Sequence, residues 1–129
     1  MPENNPYELI CELSNAILND RLLQVQKLIE NEYVQPSYSN FMTAVDCEFT
    51  EILKYLLESN KQSLDYASYS LGIAAHIGRR KSIKTIMDFL MENKHEFSRY
   101  EVDDAIMKAI HQAGNVEIVK SIIECYNYN

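Results

Sequence analysis

A short segment recurs four times along the chain of 129 residues, and this recurrence constrains the fold more than any other feature. The segment that begins at Gly114 reads Gly-Asn-Val-Glu-Ile-Val-Lys-Ser-Ile-Ile-Glu, and related segments begin at Asp20, Glu48 and Gly78. Successive starts are 28, 30 and 36 residues apart. A period of about 20–50 residues is typical of solenoid proteins, in which each repeat buries its apolar face against its neighbours.

Each repeat contains two stretches in which apolar residues follow the spacing of an α-helix. The stripes predicted to face inward include Ile10, Leu23, Val116, Val119 and Ile122. With only 3 Gly and 3 Pro, the chain has little turn chemistry for a many-stranded sheet. The sequence therefore predicts one all-α domain over residues 1–129, built from four antiparallel helix pairs. The pairs are expected at roughly residues 7–32, 37–60, 63–93 and 98–126.

Local signals predict where several of these helices begin and end. Thr50 is the expected N-cap of the fourth helix, and Ser98 with Glu101 forms the pattern of a capping box. Gly78 stands where a helix is expected to end in a left-handed residue.

Acidic residues are concentrated in the N-terminal half of the chain. Residues 1–65 contain 11 acids and 4 bases, residues 66–129 contain 8 of each, and the net charge is −7. An acidic half repels phosphate backbones, so nucleic-acid binding is not expected. The charge favours either plain solubility or attraction of a basic protein partner.

Three cysteines, Cys11, Cys47 and Cys125, are an odd number, so they cannot all form internal disulfides. Cys11 and Cys47 are predicted to pack as small hydrophobes on apolar faces of first helices. No apolar run approaches about 18 residues and no secretory leader is apparent, so the expected location is a reducing cytosol, away from membranes.

Residues 71–78, Leu-Gly-Ile-Ala-Ala-His-Ile-Gly, resemble the first-helix signature of ankyrin repeats, and residues 114–120 resemble the second-helix signature. The resemblance extends over about residues 9–125 and implies an ankyrin-like α-solenoid. Asp20 and Glu48 stand at two of its glycine positions. The family's Thr-Pro-Leu-His and Gly-Ala-Asp segments are missing, so its β-hairpin tips are expected to be reduced or absent. An α-solenoid of another repeat class is the structural alternative.

The resemblance also implies a recognition surface on the concave side, at variable residues just before each first helix and around each glycine position. Carried over to this chain, the protein-binding residues are Tyr38, Asp46, Cys47, Glu48, Asp65, Tyr66, Ser68, His76, Ile77, Asp103 and Gln112. The alternative for each is an ordinary solvated surface position. Tyrosine suits such a surface because it combines a rigid contact area with a polar tip.

The sequence contains no pattern typical of a metal, cofactor or catalytic site. His76, His95 and His111 lack the i, i+4 spacing that would place two ligands on one helical face. A cysteine hydrolase with a Cys–His site remains a remote alternative, although no glycine turn supports it. The basic cluster formed by Arg79, Arg80, Lys81 and Lys84 is interpreted as a solvated face or as an acid- or phosphate-binding patch.

These features predict a non-catalytic interaction module that binds another protein through its concave, acidic surface and blocks or regulates it. By analogy with short, divergent ankyrin-like proteins, such a module would be a pathogen or viral effector delivered into a host cell. The alternative is a homodimeric regulator of an enzyme, in which an exposed face of the terminal repeat, near Ile118 to Ile123, pairs with a second copy. Monomer and homodimer both remain open.

Overall fold

The computed structural model describes residues 5–61 and 64–127, and every regular element in these ranges is helical. The eight α-helices are α1 (Pro6–Leu18), α2 (Leu22–Glu30), α3 (Tyr38–Asp46), α4 (Thr50–Ser59), α5 (Asp65–Ile77), α6 (Arg80–Glu92), α7 (Arg99–Gln112) and α8 (Val116–Asn127), with a 3₁₀ turn at Lys94–Glu96. The predicted all-α fold is confirmed. The predicted start of the third pair at residue 63 lies outside the described residues.

The helices form two layers, because each packs against the helix two places along the chain, and the helices of the first three pairs also pack against their hairpin partners. The first layer contains α1, α3, α5 and α7, and the second contains α2, α4, α6 and α8. Buried residues of all eight helices join in one hydrophobic cluster. Phe41, Leu53, Leu71, Ile83 and Met87 are among its largest fully buried side chains. Each such side chain stabilises the fold by roughly 1.5–3 kcal/mol relative to exposure.

The first three helix pairs turn through the same backbone conformation. The residues with a left-handed φ are Asp20 (+56°), Glu48 (+54°) and Gly78 (+77°). In each turn the next amide donates to a carbonyl five residues earlier, as in a Schellman motif. These bonds run from Arg21 to Ala16 (2.9 Å), from Phe49 to Ala44 (3.0 Å) and from Arg79 to Ala74 (2.9 Å). Gly78 ends its helix as predicted, and Asp20 and Glu48 take the same conformation without being glycines.

The fourth pair turns differently. Gly114 and Gly78 occupy the same position in the repeated segment, but their backbone conformations differ. Gly78 has the only positive φ among the three glycines, all of which are described. Gly114 instead donates its amide to the Ala75 carbonyl at 3.2 Å, and a Cβ there would lie 3.1 Å from the His76 carbonyl oxygen. Glycine at this position allows the α7–α8 connection to approach the end of α5 closely.

Two of the predicted helix caps need correction. Thr50 is the first residue of α4, whose N-cap is Phe49 without a side-chain hydrogen bond. Ser98 Oγ accepts from the Glu101 amide at 3.1 Å, which is one half of a capping box. A complete capping box instead occurs at α3, where Ser37 and Asn40 satisfy each other's amides.

Candidate protein-interaction surface

The exposed sides of α1, α3 and α5 and the side of α7 nearest to α5 lie next to one another, and together they are termed the first-helix face. Large apolar side chains are exposed there at helical spacing. Tyr38 and Met42 on α3 are 46% and 42% exposed. Tyr7 and Leu18 on α1 and Tyr100 on α7 are also exposed. An exposed layer of apolar and aromatic side chains has the composition of a protein-binding surface.

Four aromatic rings connect α3 to α5 beneath this face. Tyr38 packs against Tyr66 and edge-on against Tyr69, with ring centroids 4.8 and 4.9 Å apart. Tyr66 stacks on the buried Phe41 at 4.5 Å, and its hydroxyl donates to the Pro36 carbonyl at 3.3 Å. The structure therefore brings the predicted residues Tyr38 and Tyr66 together. Because two half-buried rings support it, the exposed Tyr38 ring presents a rigid contact surface.

Sequence reasoning missed Tyr69, although a signal for it was present. Tyr69 lies three residues after Tyr66, and this spacing places both rings on one side of a helix. Tyr69 is half-buried and contacts the ring of Tyr38. Tyr38, Phe41, Tyr66 and Tyr69 together are termed the aromatic cluster.

A groove with acidic walls separates α5 from α7. It is lined by Leu64, Asp65, Ser68, Tyr100, Glu101, Asp104, Ala105 and Lys108. Asp104 pairs with Lys108 at 3.0 Å. Three carboxylates face a single ammonium group in this groove, so its local charge favours a basic ligand. The predicted residues Asp65 and Ser68 lie here, together with the exposed ring of Tyr100.

Asp46 and Glu48 are predicted to bind a partner protein, and in the structure both make contacts within the chain. The Asp46 carboxylate accepts from Arg79 Nη2 at 2.8 Å, and the Asp46 carbonyl oxygen accepts from Arg79 Nε at 3.0 Å. The Glu48 carboxylate accepts from the Lys81 amide at 2.8 Å. Ser82 Oγ also donates to the Val45 carbonyl at 2.7 Å. The turn after α3 is thus bonded to the first turn of α6.

These contacts also change the interpretation of the basic cluster. Arg79 pairs with Asp46, and Lys84 pairs with Asp88 at 2.9 Å. Cations at a helix start oppose the helix macrodipole, whereas the Glu48 carboxylate at the same position complements it. Two of the four cations therefore have carboxylate partners within the chain.

The other predicted residues lie at the far rim of the first-helix face or beyond it. Cys47, His76 and Ile77 are exposed at the C-terminal ends of α3 and α5. Gln112 ends α7, and its side chain lies over Gly72. Asp103 lies on the opposite side of α7 from the α5–α7 groove, where it faces Arg99 at 3.8 Å. The predicted set therefore does not form one patch.

The outer surface of the second layer also carries a charged groove. The groove between α4 and α6 is lined by Thr50, Glu51, Lys54, Glu58, Thr85, Asp88, Phe89 and Glu92. Five of these eight residues are acidic or basic. Tyr7, Tyr38, Met42 and Tyr100 are exposed on the first layer, and Leu23 and Tyr126 are exposed on the second, so the first layer presents more exposed aromatic side chains.

Some predicted properties of the cysteines are wrong. Cys11 and Cys47 are exposed instead of packed on apolar faces. Cys125 is half-buried, and burial raises the pKa of its thiol.

Across residues 5–61 and 64–127, no group of three or more His, Cys, Asp or Glu side chains is placed to hold a metal ion. Over the same residues, no helix combines the length and the apolar character needed to cross a membrane.

The candidate interaction surface is the first-helix face, together with the contacts beneath it. The aromatic cluster and the acidic groove are its two best-defined features. No family model, curated protein or solved structure matches the chain.

Proposed function

We propose that the protein is a non-catalytic, ankyrin-like interaction module that binds another protein through its first-helix face and thereby blocks or regulates it. The observation that carries this proposal is the supported aromatic surface on α3. Tyr38 and Met42 are exposed there, and the rings of Tyr66 and Tyr69 pack against Tyr38 from α5. Aromatic side chains and methionine are enriched at the centres of protein interfaces.

The stacking of helix pairs supports the ankyrin-like part of the proposal. Helices of one layer pack side by side, and three of the four hairpins share a left-handed turn at equivalent positions. In repeat proteins of this kind, one layer of helices lines the binding surface and the other supports it. Such a surface is extended, so it suits a protein partner better than a small molecule.

The groove between α5 and α7 indicates the chemistry of that partner. Asp65, Glu101 and Asp104 outnumber the single base Lys108. A partner segment with lysine or arginine near an aliphatic side chain would complement this groove and the exposed Tyr100 ring. Attraction of a basic partner would also raise the association rate, and salt would weaken this effect.

The proposal is tested with a variant that alters the surface and spares the core. We expect Met42→Glu combined with Tyr100→Ala to weaken partner binding by at least about tenfold, because both side chains are exposed anchors. The control is Leu23→Ala on α2, which removes an exposed apolar side chain from the second layer. Binding partners are captured from lysate with each variant and quantified by mass spectrometry, and circular dichroism verifies helicity.

Partners that bind the wild-type protein and the control, but not the first-helix variant, would support the proposal. Equal capture by all three proteins would overturn it. A synthetic peptide library provides a second readout, in which basic peptides with an aliphatic residue should be enriched on the wild-type protein and depleted on Asp104→Lys.

A further inference from the structure

The two ends of the stack present different surfaces. The N-terminal end has a polar groove lined by Glu12, Asn15, Ala16, Asn19, Arg21 and Gln24. The C-terminal end has a mainly apolar groove lined by Asp103, Ile106, Met107, Ile110, Ile123 and Tyr126, which is termed the terminal groove. Terminal repeats of solenoids normally carry a polar outer face that keeps the core away from water. The groove at the N-terminal end fits that pattern, and the terminal groove does not.

The terminal groove is open because the last two helices make little contact with each other. α7 packs mainly against α5, and α8 packs mainly against α6. The side chains between them are left partly uncovered: Met107 is 52% exposed, Ile123 43% and Tyr126 39%. In the inner pairs the corresponding side is covered by the next pair, as α7 covers α5.

We propose that the terminal groove binds the same groove of a second copy, which gives a dimer with two-fold symmetry. The polar groove at the N-terminal end does not match the apolar terminal groove. Contact between two identical terminal grooves is therefore favoured over head-to-tail association of the two grooves. The mode of association is therefore a pair, in which each copy covers the terminal groove of the other.

The charge distribution favours this arrangement over contact through the other end. Residues 66–129 contain 8 acids and 8 bases, whereas residues 1–65 contain 11 acids and 4 bases. Contact through the C-terminal ends joins the two neutral halves and keeps the two acidic halves apart. Contact through the N-terminal ends would bring the acidic halves together, at a cost in Coulomb repulsion.

The rim of the terminal groove is self-complementary. Arg99 and Asp103 lie one turn apart on α7, their charged atoms are 3.8 Å apart, and the Arg99 side chain is largely exposed. Because a two-fold axis places the same surface on both sides, Arg99 of one copy can pair with Asp103 of the other. Charged rim residues of this kind fix the register of an interface.

This inference goes beyond the proposed function, because the terminal groove lies at the end of the stack and not on the first-helix face. A dimer of this geometry leaves both first-helix faces open. It would bind a partner that carries two copies of the recognised surface with an increased overall affinity.

Sedimentation velocity over a broad dilution series tests the proposal with the whole chain. The wild-type protein should move from the monomer mass of 15.0 kDa towards twice that mass as its concentration rises. Met107→Lys combined with Ile123→Lys should remain a monomer at concentrations that saturate the wild-type dimer, with unchanged circular dichroism. The matched control is Leu23→Lys, which places a charge on an exposed apolar position of α2 and should still form the dimer.

A wild-type protein that stays monomeric at every concentration would overturn the proposal, as would a dimer that survives the terminal-groove substitutions. Loss of the dimer in the Leu23→Lys control would also overturn it. The charge pairing has its own test: Arg99→Asp should weaken self-association, and Arg99→Asp with Asp103→Arg should restore it. Failure of this restoration would contradict the two-fold arrangement.

These results are independent of the proposed function. A dimer could form in a protein whose first-helix face binds nothing, and a monomer could still bind a partner through that face. Partner capture with the Met107→Lys and Ile123→Lys variant distinguishes the two, since the first-helix face is unchanged in this protein.

Discussion

The Glu48 carboxylate accepts a hydrogen bond from the Lys81 amide at 2.8 Å, so a turn residue of the second helix pair caps the first turn of α6 in the third pair. Arg79, the N-cap residue of α6, makes no side-chain cap of its own, and the first turn of α6 contains no acid. A carboxylate at this position is favoured by the free amides and by the helix macrodipole. Asp46 binds Arg79 alongside it, so two acids connect neighbouring pairs.

Glycine substitutions at two left-handed turns should separate backbone strain from capping. Asp20→Gly removes an unfavourable left-handed φ and should raise the free energy of unfolding by about 1 kcal/mol. Glu48→Gly relieves the same strain but loses the bond to Lys81, which is equivalent to an N-cap worth about 0.5–2 kcal/mol. Urea denaturation measures both. An equal gain for the two variants would show that the Glu48 contact contributes no stability.

Two buried serines should respond in opposite directions to replacement by alanine. Ser70 Oγ is buried without a hydrogen-bond partner among the described residues, so Ser70→Ala should stabilise the fold by about 1 kcal/mol. Ser82 Oγ donates to the Val45 carbonyl at 2.7 Å, so Ser82→Ala should lower the free energy of unfolding by about 1–2 kcal/mol. Thermal unfolding of the two single variants provides the comparison. Destabilisation by both would contradict the unsatisfied hydroxyl at Ser70.

The hydrogen bond between Tyr55 and Glu30 should make stability depend on alkaline pH. Burial, followed by the hydrogen bond and charge of Glu30, raises the pKa of Tyr55 from 10.0 to about 12. A group with a raised pKa in the folded state stabilises fully below its unfolded pKa and loses this contribution as pH rises through the folded pKa. The contribution of Tyr55 should therefore be lost between pH 10.0 and about 12.

Tyr55→Phe is the matched variant for this pH dependence. It should be less stable than the wild type by about 1 kcal/mol at neutral pH, because the bond to Glu30 is lost. The difference between the two proteins should shrink across the alkaline window. A constant difference throughout the pH range would count against a raised pKa.

Aspartate substitutions on α8 should report how the last pair is anchored. Ile122 is fully buried, so Ile122→Asp places a charge in the core and should lower the free energy of unfolding by more than about 3 kcal/mol. Val119 is only half-buried, so Val119→Asp should have a clearly smaller effect. Denaturation of both variants, monitored by circular dichroism, tests the difference. Comparable losses would mean that the Val119 side chain is as buried as that of Ile122.

The helices and their pairing could be predicted from the sequence because apolar residues at helical spacing are a strong local signal. The spacing does not show which residues at the margin of an apolar stripe are covered by a neighbouring helix. Ile10, Leu23 and Val116 were predicted to face inward, and all three are exposed. Ile10 and Leu23 belong to the first pair and Val116 to the last, where an adjacent pair is present on one side only.

The candidate site was less predictable because its contacts join residues far apart in the chain. The sequence shows an acid at Asp46 and a base at Arg79, but not that they meet across 33 positions. The aromatic cluster was partly predictable, since Tyr38 and Tyr66 were identified and the spacing of Tyr69 matched theirs. Asp103 lies outside the α5–α7 groove, whereas its neighbour Asp104 lines that groove, and the sequence alone does not distinguish the two positions.

The main packing contacts join helices no more than two places apart, and this affects how the chain reaches its native state. Native contacts then close short stretches of chain, and proteins of low contact order fold in milliseconds or faster, on the order of microseconds for some. Two consecutive pairs already contain a complete stacking interface. A polypeptide emerging from the ribosome can thus bury its earliest apolar side chains before translation of the later helices is finished.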